Sequence, residues 1–462
     1  MNPVVAVVIG MLPEHILLAA IVLLIAIEIV SSRRWNALPL SLLALVLATA
    51  ASLALYSGGF ATAPFPGQLM VDPAATLSKV LILGLAIPVL LLARDDFAEP
   101  QFHILLLSSL YGACVLMSAE SFLVLFLGLE LMSLPVYALV LLAFRRPECA
   151  EAALKYLVLG GTASATLLMG ASLLYGGAGS LDLATFREAV ASADAMAKMA
   201  VALVIAAFFL KAAVVPFHAW APDAYEAAAM PVTAYMAAII KAGVLLAAVR
   251  LFGMAPLSSF TVELLAWLPL ASIVWGNLAA MRQQSLRRMI AYSSIAHAGY
   301  LFYAFLGEAS GRFEAVAFYV LAYGLMNVLA FAALPRADDD AARDRLQHLR
   351  GLARRKPFAA VMIGIAMLSL AGVPPFPGFV AKFLIFKNVM AAGYTMYAVL
   401  GLVGSYLGLY FYLRVIQHLF MSEDEGAGTL GTSGRYALGA TLICLLGAVL
   451  VGVFPGWVID RL

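Results

Sequence analysis

Residues 37–57, ALPLSLLALVLATAASLALYS, run for twenty-one positions without one Asp, Glu, Lys or Arg. A helix needs about 20 predominantly apolar residues to cross the hydrocarbon core of a bilayer. Comparable runs recur near 14–31, 75–93, 101–118, 121–144, 152–176, 197–220, 231–252, 260–280, 287–307, 313–334, 358–390, 394–420 and 437–459. Barrel strands are only about 10 residues long and alternate in polarity; these runs are longer and continuous. The composition agrees: 64% of the side chains are apolar and 12% charged, where a soluble domain has roughly 25% charged. The predicted fold class is an all-α polytopic membrane protein with about fourteen transmembrane helices.

Other classes are excluded on the same grounds. A net charge of +2 leaves no electrostatic footprint for nucleic acid. Cys114, Cys149 and Cys444 are far apart, with no CxxC, so no disulfide framework, zinc site or iron–sulfur site is expected. The first ten residues, MNPVVAVVIG, lack the positive region of a cleaved signal, so the first apolar segment is expected to stay as a helix. GAGTLG at 426–431 matches GxGxxG, but it lies in a polar loop with no preceding strand, where the dinucleotide fingerprint cannot form.

Basic residues set the orientation. Sixteen of the 28, among them Arg33, Arg34, Arg145, Arg146, Arg336 and Arg343, fall in connections after odd-numbered helices, and six fall on the other side. The positive-inside rule places the richer side in the cytoplasm and both termini on the periplasmic side of an inner membrane. The longest polar stretch, 335–357, is then a cytoplasmic connector, expected to be a solvated linker and docking surface.

Six basic residues remain inside spans. Lys79 and Arg414 lie near span ends, and Lys155 lies near a predicted start, where long side chains can snorkel to the interface. Glu130, Lys211, Lys241 and Lys382 cannot be excused so easily. Nine residues of its span precede Glu130, placing the carboxylate about 14 Å deep. A charge at the centre of a membrane helix costs at least about 2.5–3.5 kcal/mol, so each of these needs a partner or a task. Buried lysines exchange protons more readily than exposed ones, and a nearby carboxylate opposes that change. Three such lysines against one glutamate exceed what structural pairing requires and point to a proton relay.

Two spans are interrupted beside these lysines. Lys211 is followed by Pro216, Pro222 and Pro231; Pro374, Pro375, Pro377 and Gly378 precede Lys382. Backbone groups freed by prolines are tolerated at membrane depth only inside protein or beside water, and broken helices mark ion sites in transporters. The two lysines are 171 residues apart, about five helices with loops. An odd-numbered unit repeated once must be inverted, so helices 4–8 and 9–13 are expected to be inverted repeats with helices 7 and 12 broken. His218, in PFHAW, and His297, in AYSSIAHAGY, are secondary relay candidates; Glu226, near Asp223 and Tyr225, is placed at the membrane edge after the first break.

These segments together resemble a known family. LGLELMSLPVYALV, EAALKYLVLGG, FFLKAAVVPFHAWAPDAYE, PVTAYMAAIIKAGVLL and SLAGVPPFPGFVAKF, in this order, resemble the antiporter-like membrane subunits of respiratory complex I. EAALKY, PDAYE and RRMIAYSSIAHAGY are most like the subunit N group of the bacterial proton-pumping NADH:quinone oxidoreductase. The resemblance spans nearly the whole chain. It implies fourteen helices in two inverted five-helix repeats, divided here as an N-terminal three-helix segment (1–100), a first repeat (101–255), a second repeat (256–420) carrying the connector 335–357, and a C-terminal loop and helix (421–462). It also implies a charge pair between Glu130 and Lys211, a hydrophilic axis through Lys155 and Lys241, and Lys382 at the exit side. Neighbouring membrane subunits are expected on both flanks, with lipids and protons as further partners. No cofactor is expected in this chain; NADH, FMN, iron–sulfur clusters and quinone would be held by other subunits. One departure is AAAMP after PDAYE, where the family usually has a Gly-Ala-Pro-Thr-Pro-like turn. The alternatives are a subunit of a multisubunit cation/proton antiporter, which shares this plan, and a non-conducting scaffold.

Overall fold

The computed structural model of the chain describes residues 3–31, 35–94, 96–97, 99–142, 147–335, 344–421 and 434–462. Arg33, Arg34, Arg145, Arg146, Arg336, Arg343 and the GAGTLG motif lie outside the described residues. Among those described, thirteen helices are long and apolar enough to cross a membrane. In chain order they are Leu12–Val30, Leu38–Ser57, Pro73–Ala93, Pro100–Met117, Phe122–Leu141, Glu148–Ala178, Ala195–Ala212, Met230–Phe252, Ser259–Ala280, Leu286–Leu306, Ala309–Ala332, Thr395–Phe420 and Arg435–Val453. We refer to them as spans 1 to 11, 13 and 14. Span 12 is divided between Pro357–Ala371 and Pro377–Ala391, neither long enough to cross alone. The expected fourteen-helix membrane fold is therefore present, with one crossing made of two pieces.

Local chemistry explains where the helices start. Without water, backbone groups must bond within the segment, which selects helix. Proline, which lacks the N–H that a first turn leaves unpaired, opens several of them. Ser121 and Ser285 cap spans 5 and 10 by accepting from the amides of Val124 and Arg288, both at 3.3 Å. A short antiparallel hairpin, Thr62–Phe65 with Leu69–Val71, joins spans 2 and 3.

Span 7 ends at Ala212, and the chain regains helix only at Trp220–Ala227. Ala213 takes a left-handed φ of 60° there, a conformation that costs a residue with a Cβ roughly 1–2 kcal/mol. Just after it, the amide of Val215 finds the Ser272 hydroxyl at 3.0 Å, so a backbone group freed by the break is satisfied inside protein. In span 12, Gly372 closes the first piece with φ 86°, and the Gly378 amide donates to Ser369 Oγ at 3.1 Å. Span 8 carries a third irregularity that the sequence did not suggest: residues Met236–Ile240 form a π-helical turn directly before Lys241. Such turns are uncommon and cluster at functional positions.

The chain forms two compact units: Met1–Leu90, Phe97–Ala212 and Ile239–Leu264 make one, and Leu91–Asp96, Ala213–Ala238 and Leu265–Leu462 the other. The boundary at Ala212/Ala213 coincides with the break of span 7, and that at Ala238/Ile239 falls inside the π turn. Within the first unit, spans 4 and 5 touch backbone to backbone at Gly112, where a Cβ would collide with the Leu131–Met132 peptide. Small residues permit such approach between membrane helices, and this one, together with the Ser109 hydroxyl donating to the Met132 carbonyl at 2.6 Å, fixes the rotation of span 5 that presents Glu130.

Candidate functional site

In the first unit, span 5 offers Glu130, Ser133 and Tyr137 along one face, at the three-to-four-residue spacing that aligns side chains on a helix. Lys211, the penultimate residue of span 7, reaches all three. Its ammonium lies 2.8 Å from Glu130 Oε1 and 3.5 Å from the hydroxyls of Ser133 and Tyr137. Span 6 adds Ser164, whose hydroxyl also donates to Glu130 Oε1. The lysine side chain is 5% exposed and the glutamate 18%, so the contact is largely desolvated, with Glu130 the close partner of the ammonium and the two hydroxyls at the outer limit of hydrogen-bond reach. The expected Glu130–Lys211 pair is thus in contact, and the hydroxyls around it can carry a proton onward.

Lys241 is buried in span 8 immediately after the π turn, and Gly243 packs against Met132 of span 5. Lys155 is placed otherwise. Its side chain is 44% exposed on the outer face of span 6 and pairs with Glu151, four residues earlier, at 2.7 Å. Within this chain the structure does not bring it to Glu130 or Lys211.

The second unit holds a separate polar cluster. Lys382 donates to the Ala371 carbonyl, left free where the first piece of span 12 ends, and to Ser405 Oγ, both at 3.0 Å. Its ammonium also lies 5.0 Å above the Tyr300 ring. Tyr300 Oη accepts from Asn277 at 3.0 Å, and its ring packs edge-on against His297 with centroids 5.5 Å apart. His297 is bracketed by two phenols: Tyr319 Oη at 2.8 Å from Nδ1 and Tyr412 Oη at 3.1 Å from Nε2. Tyr412 continues to the Ser293 hydroxyl at 2.5 Å. A neutral imidazole donates through one nitrogen and accepts through the other, so His297 can pass a proton between these phenols by exchanging tautomers. A cavity of ≈ 10 Å³ beside it, lined by Tyr319, Tyr323, Ser369 and Gly378, is near the volume one water molecule needs.

At one end of span 10, two consecutive arginines hold the interrupted segment. Arg288 Nη1 meets Asp223 Oδ1 at 2.9 Å and Glu226 Oε2 at 2.8 Å, both on the helix Trp220–Ala227. Arg287 donates to the Ala228 carbonyl at 2.9 Å and to Asp344 Oδ1 at 3.1 Å. The first contact anchors the AAAMP turn. Burial raises the Asp344 carboxyl, but the Arg287 guanidinium and hydrogen bonds from Arg287 and Ser285 outweigh that and hold it below the ordinary aspartate value. The described part of the connector is accordingly no free linker: Asp344, Leu346, Leu349 and Leu352 are buried. His218 stands apart, its Nε2 accepting from Trp275 Nε1 at 3.0 Å.

Two expectations about snorkelling separate here. Arg414 does reach the turn at a span end, donating to the carbonyls of Met281 and Gln283. Lys79 does not snorkel. Its side chain is 0% exposed and its ammonium lies 2.6 Å from Glu14 Oε1. Among the described residues no group of three or more His, Cys, Asp and Glu side chains could hold a metal ion.

The family model for the membrane domain of NADH:quinone oxidoreductase and Mrp antiporter subunits matches residues 119–408. The chain belongs to this family. A subunit N of NADH-quinone oxidoreductase from Pelobacter propionicus is 38% identical over 419 residues, covering 90% of this chain and 89% of the relative. A chain of respiratory complex I from Thermus thermophilus is 35% identical and superposes with a TM-score of 0.85 over 97% of this chain and 98% of its own length. A chain of the Mrp complex from Dietzia sp., 22% identical with a TM-score of 0.83 over 97% and 96% of the two chains, shares the fold. Within the NADH:quinone oxidoreductase/Mrp antiporter family, the matched region holds Glu130, Lys155, Lys211, Lys241, His297 and Lys382 and leaves Glu14 and Lys79 outside it. The sequence reading missed Ser164, Tyr137, Tyr300, Tyr319, Tyr412 and Ser405. Their signal is weak but present: hydroxyls in spans where lipid contact would favour Leu or Val.

Proposed function

We propose that the chain is a proton-translocating membrane subunit of NADH:quinone oxidoreductase, moving protons through its Glu/Lys relay with energy from quinone reduction elsewhere in the complex. The observation that carries this reading is the Glu130–Lys211 contact, buried at the mouth of a broken helix and extended by Ser164, Ser133 and Tyr137. Proton chemistry suits such a site because both partners change charge with one proton and the hydroxyls relay it without moving. Lys241 and Lys382 continue the relay, His297 with Tyr319 and Tyr412 serves as a tautomer switch beside Lys382, and Glu226 with Arg288 lies at one end. Lys155, exposed in this chain, takes part through a face that a neighbouring subunit covers; His218 is a peripheral station at the break.

The same reading assigns helices 4–8 and 9–13 as inverted repeats, the bacterial cytoplasmic membrane as the location and the periplasmic side to both termini. Flanking membrane subunits are its partners, and NADH, FMN, iron–sulfur clusters and quinone are bound by other subunits. The test is reconstitution of the whole complex in liposomes with Lys211→Ala and Glu130→Ala. Loss of proton uptake per NADH oxidised supports the relay; uptake at the wild-type ratio in both variants refutes it. Sodium-dependent proton exchange without NADH would instead favour an antiporter subunit.

A further inference from the structure

The N-terminal helices hold a second carboxylate–ammonium pair that the relay does not use. Glu14 sits in the first turn of span 1 and Lys79 in the seventh position of span 3, with Oε1 and Nζ 2.6 Å apart and side chains 1% and 0% exposed. Lys79 lies six helical steps beyond Pro73, the first residue of span 3, so the pair lies about 9 Å below the hairpin end of the helix.

The bonding of this pair is unusual. The two charges touch, yet neither Glu14 oxygen nor the Lys79 nitrogen makes a hydrogen bond of acceptable geometry among the described residues. An ammonium has three donors and a carboxylate two oxygens that each accept twice. A buried ion pair compensates its desolvation only when further hydrogen bonds complete it, and without them an apolar pair would be the more stable choice. The neighbouring helices do not complete it with charge. The helix Pro3–Gly10 carries no titratable side chain and span 2 only Tyr56; span 4 contributes His103, Tyr111 and Cys114, of which Tyr111 and Cys114 lie within electrostatic reach of Glu14. A carboxylate beside an ammonium in a dry pocket has another way to lower its energy, which is to share or exchange a proton.

We propose that Glu14 and Lys79 form a second proton-exchange site, taking up and releasing one proton during turnover. Transfer of the ammonium proton to Glu14 turns the ion pair into a neutral carboxylic acid beside a neutral amine; release of that proton from Glu14 and uptake of another by Lys79 restores the pair, with no other bond made or broken. The hairpin end of the helices supplies the short route to solvent. This inference rests on the proton-translocating reading and adds a site outside the family-matched region.

The test uses the intact complex in proteoliposomes. Lys79→Arg keeps the ion pair but cannot deprotonate in a protein, whereas the double variant Glu14→Gln/Lys79→Met removes both charges and leaves none unpaired. In whichever of these assembles, the ratio of protons moved to electrons transferred should fall. The redox-induced infrared difference spectrum of the native complex should contain a deuterium-sensitive carboxylic C=O band that Glu14→Gln abolishes. A wild-type proton-to-electron ratio in an assembled variant, or an infrared difference spectrum unchanged by Glu14→Gln, overturns the proposal. Lys211→Ala run in parallel separates the two ideas: if it stops pumping while the Glu14/Lys79 double variant pumps normally, only the second site fails.

Discussion

Removing one or both members of the Glu130–Lys211 pair separates a relay from a brace. Breaking a fully buried ion pair costs about 3–5 kcal/mol, because the surviving charge stays desolvated. With Glu130 18% exposed, the lower end applies, and Ser133 and Tyr137 at 3.5 Å are too distant to compensate Lys211. Each of Glu130→Gln and Lys211→Met should therefore lose about 3 kcal/mol of native-state stability, roughly a hundredfold in the ratio of native to inactivated protein. The double variant removes the mismatched charge, so its cost should fall short of the sum of the single costs by about 2 kcal/mol. Survival of assembled complex after heating in detergent measures that coupling. Proton uptake per NADH oxidised, in liposomes, measures function on the same samples. The expected result is a double variant that regains stability and does not regain pumping. A double variant that regains both would show the pair to be a structural brace, and single costs that simply add would show that the two side chains do not interact.

Three further outcomes follow from the geometry. Gly378→Ala should dislodge the second piece of span 12, because its Cβ would overlap the Ser369 carbonyl; a loss of about 1–3 kcal/mol with impaired pumping is expected, and normal thermal stability would contradict the packing. Asp344→Asn should cost about 3–5 kcal/mol at neutral pH, since both partners of the Arg287 pair are 1% exposed. The Asp344 carboxyl is held below its ordinary value, so its contribution is complete above about pH 4 and disappears as pH falls through the lowered value; stability curves of the wild type and the variant should converge only in acid. Lys155→Ala breaks an exposed i,i+4 pair and should change stability by at most about 0.5 kcal/mol. Reduced pumping in a variant that keeps full stability would place Lys155 in the relay, and unchanged pumping would exclude it.

Much of this was legible in the sequence because membranes make certain residues expensive. Long apolar runs admit one backbone solution, so the crossings could be counted directly, including the one that prolines divide in two. Glu130 and Lys211 were legible for the same reason: a mid-span charge must find its counterpart, and only one carboxylate lay at comparable depth. Position along a helix says little, however, about which way a side chain faces. Lys79 and Lys155 both lie near span starts, yet one is sealed against Glu14 and the other exposed beside Glu151. Glu14 gave no warning because acidic residues in a first helical turn are common and stabilised there. The tyrosines around His297 were missed because phenols in apolar helices read as packing groups until their hydroxyls are placed. The arginine clasp on Asp223, Glu226 and Asp344 joins residues far apart in the chain, which spacing alone cannot reveal.

The π turn at Met236–Ile240 has a consequence for how span 8 can change. A regular helix advances about 100° per residue, and a π turn accommodates one residue more than the regular ladder would. That surplus residue sets the angular phase of everything after it, Lys241 first. Substitutions in the turn alter its shape but leave the phase alone, whereas deletion of one residue would swing the ammonium by roughly a quarter-turn or more with almost no change in hydrophobicity. The direction in which this lysine points is thus written in the number of residues before it as much as in their identity.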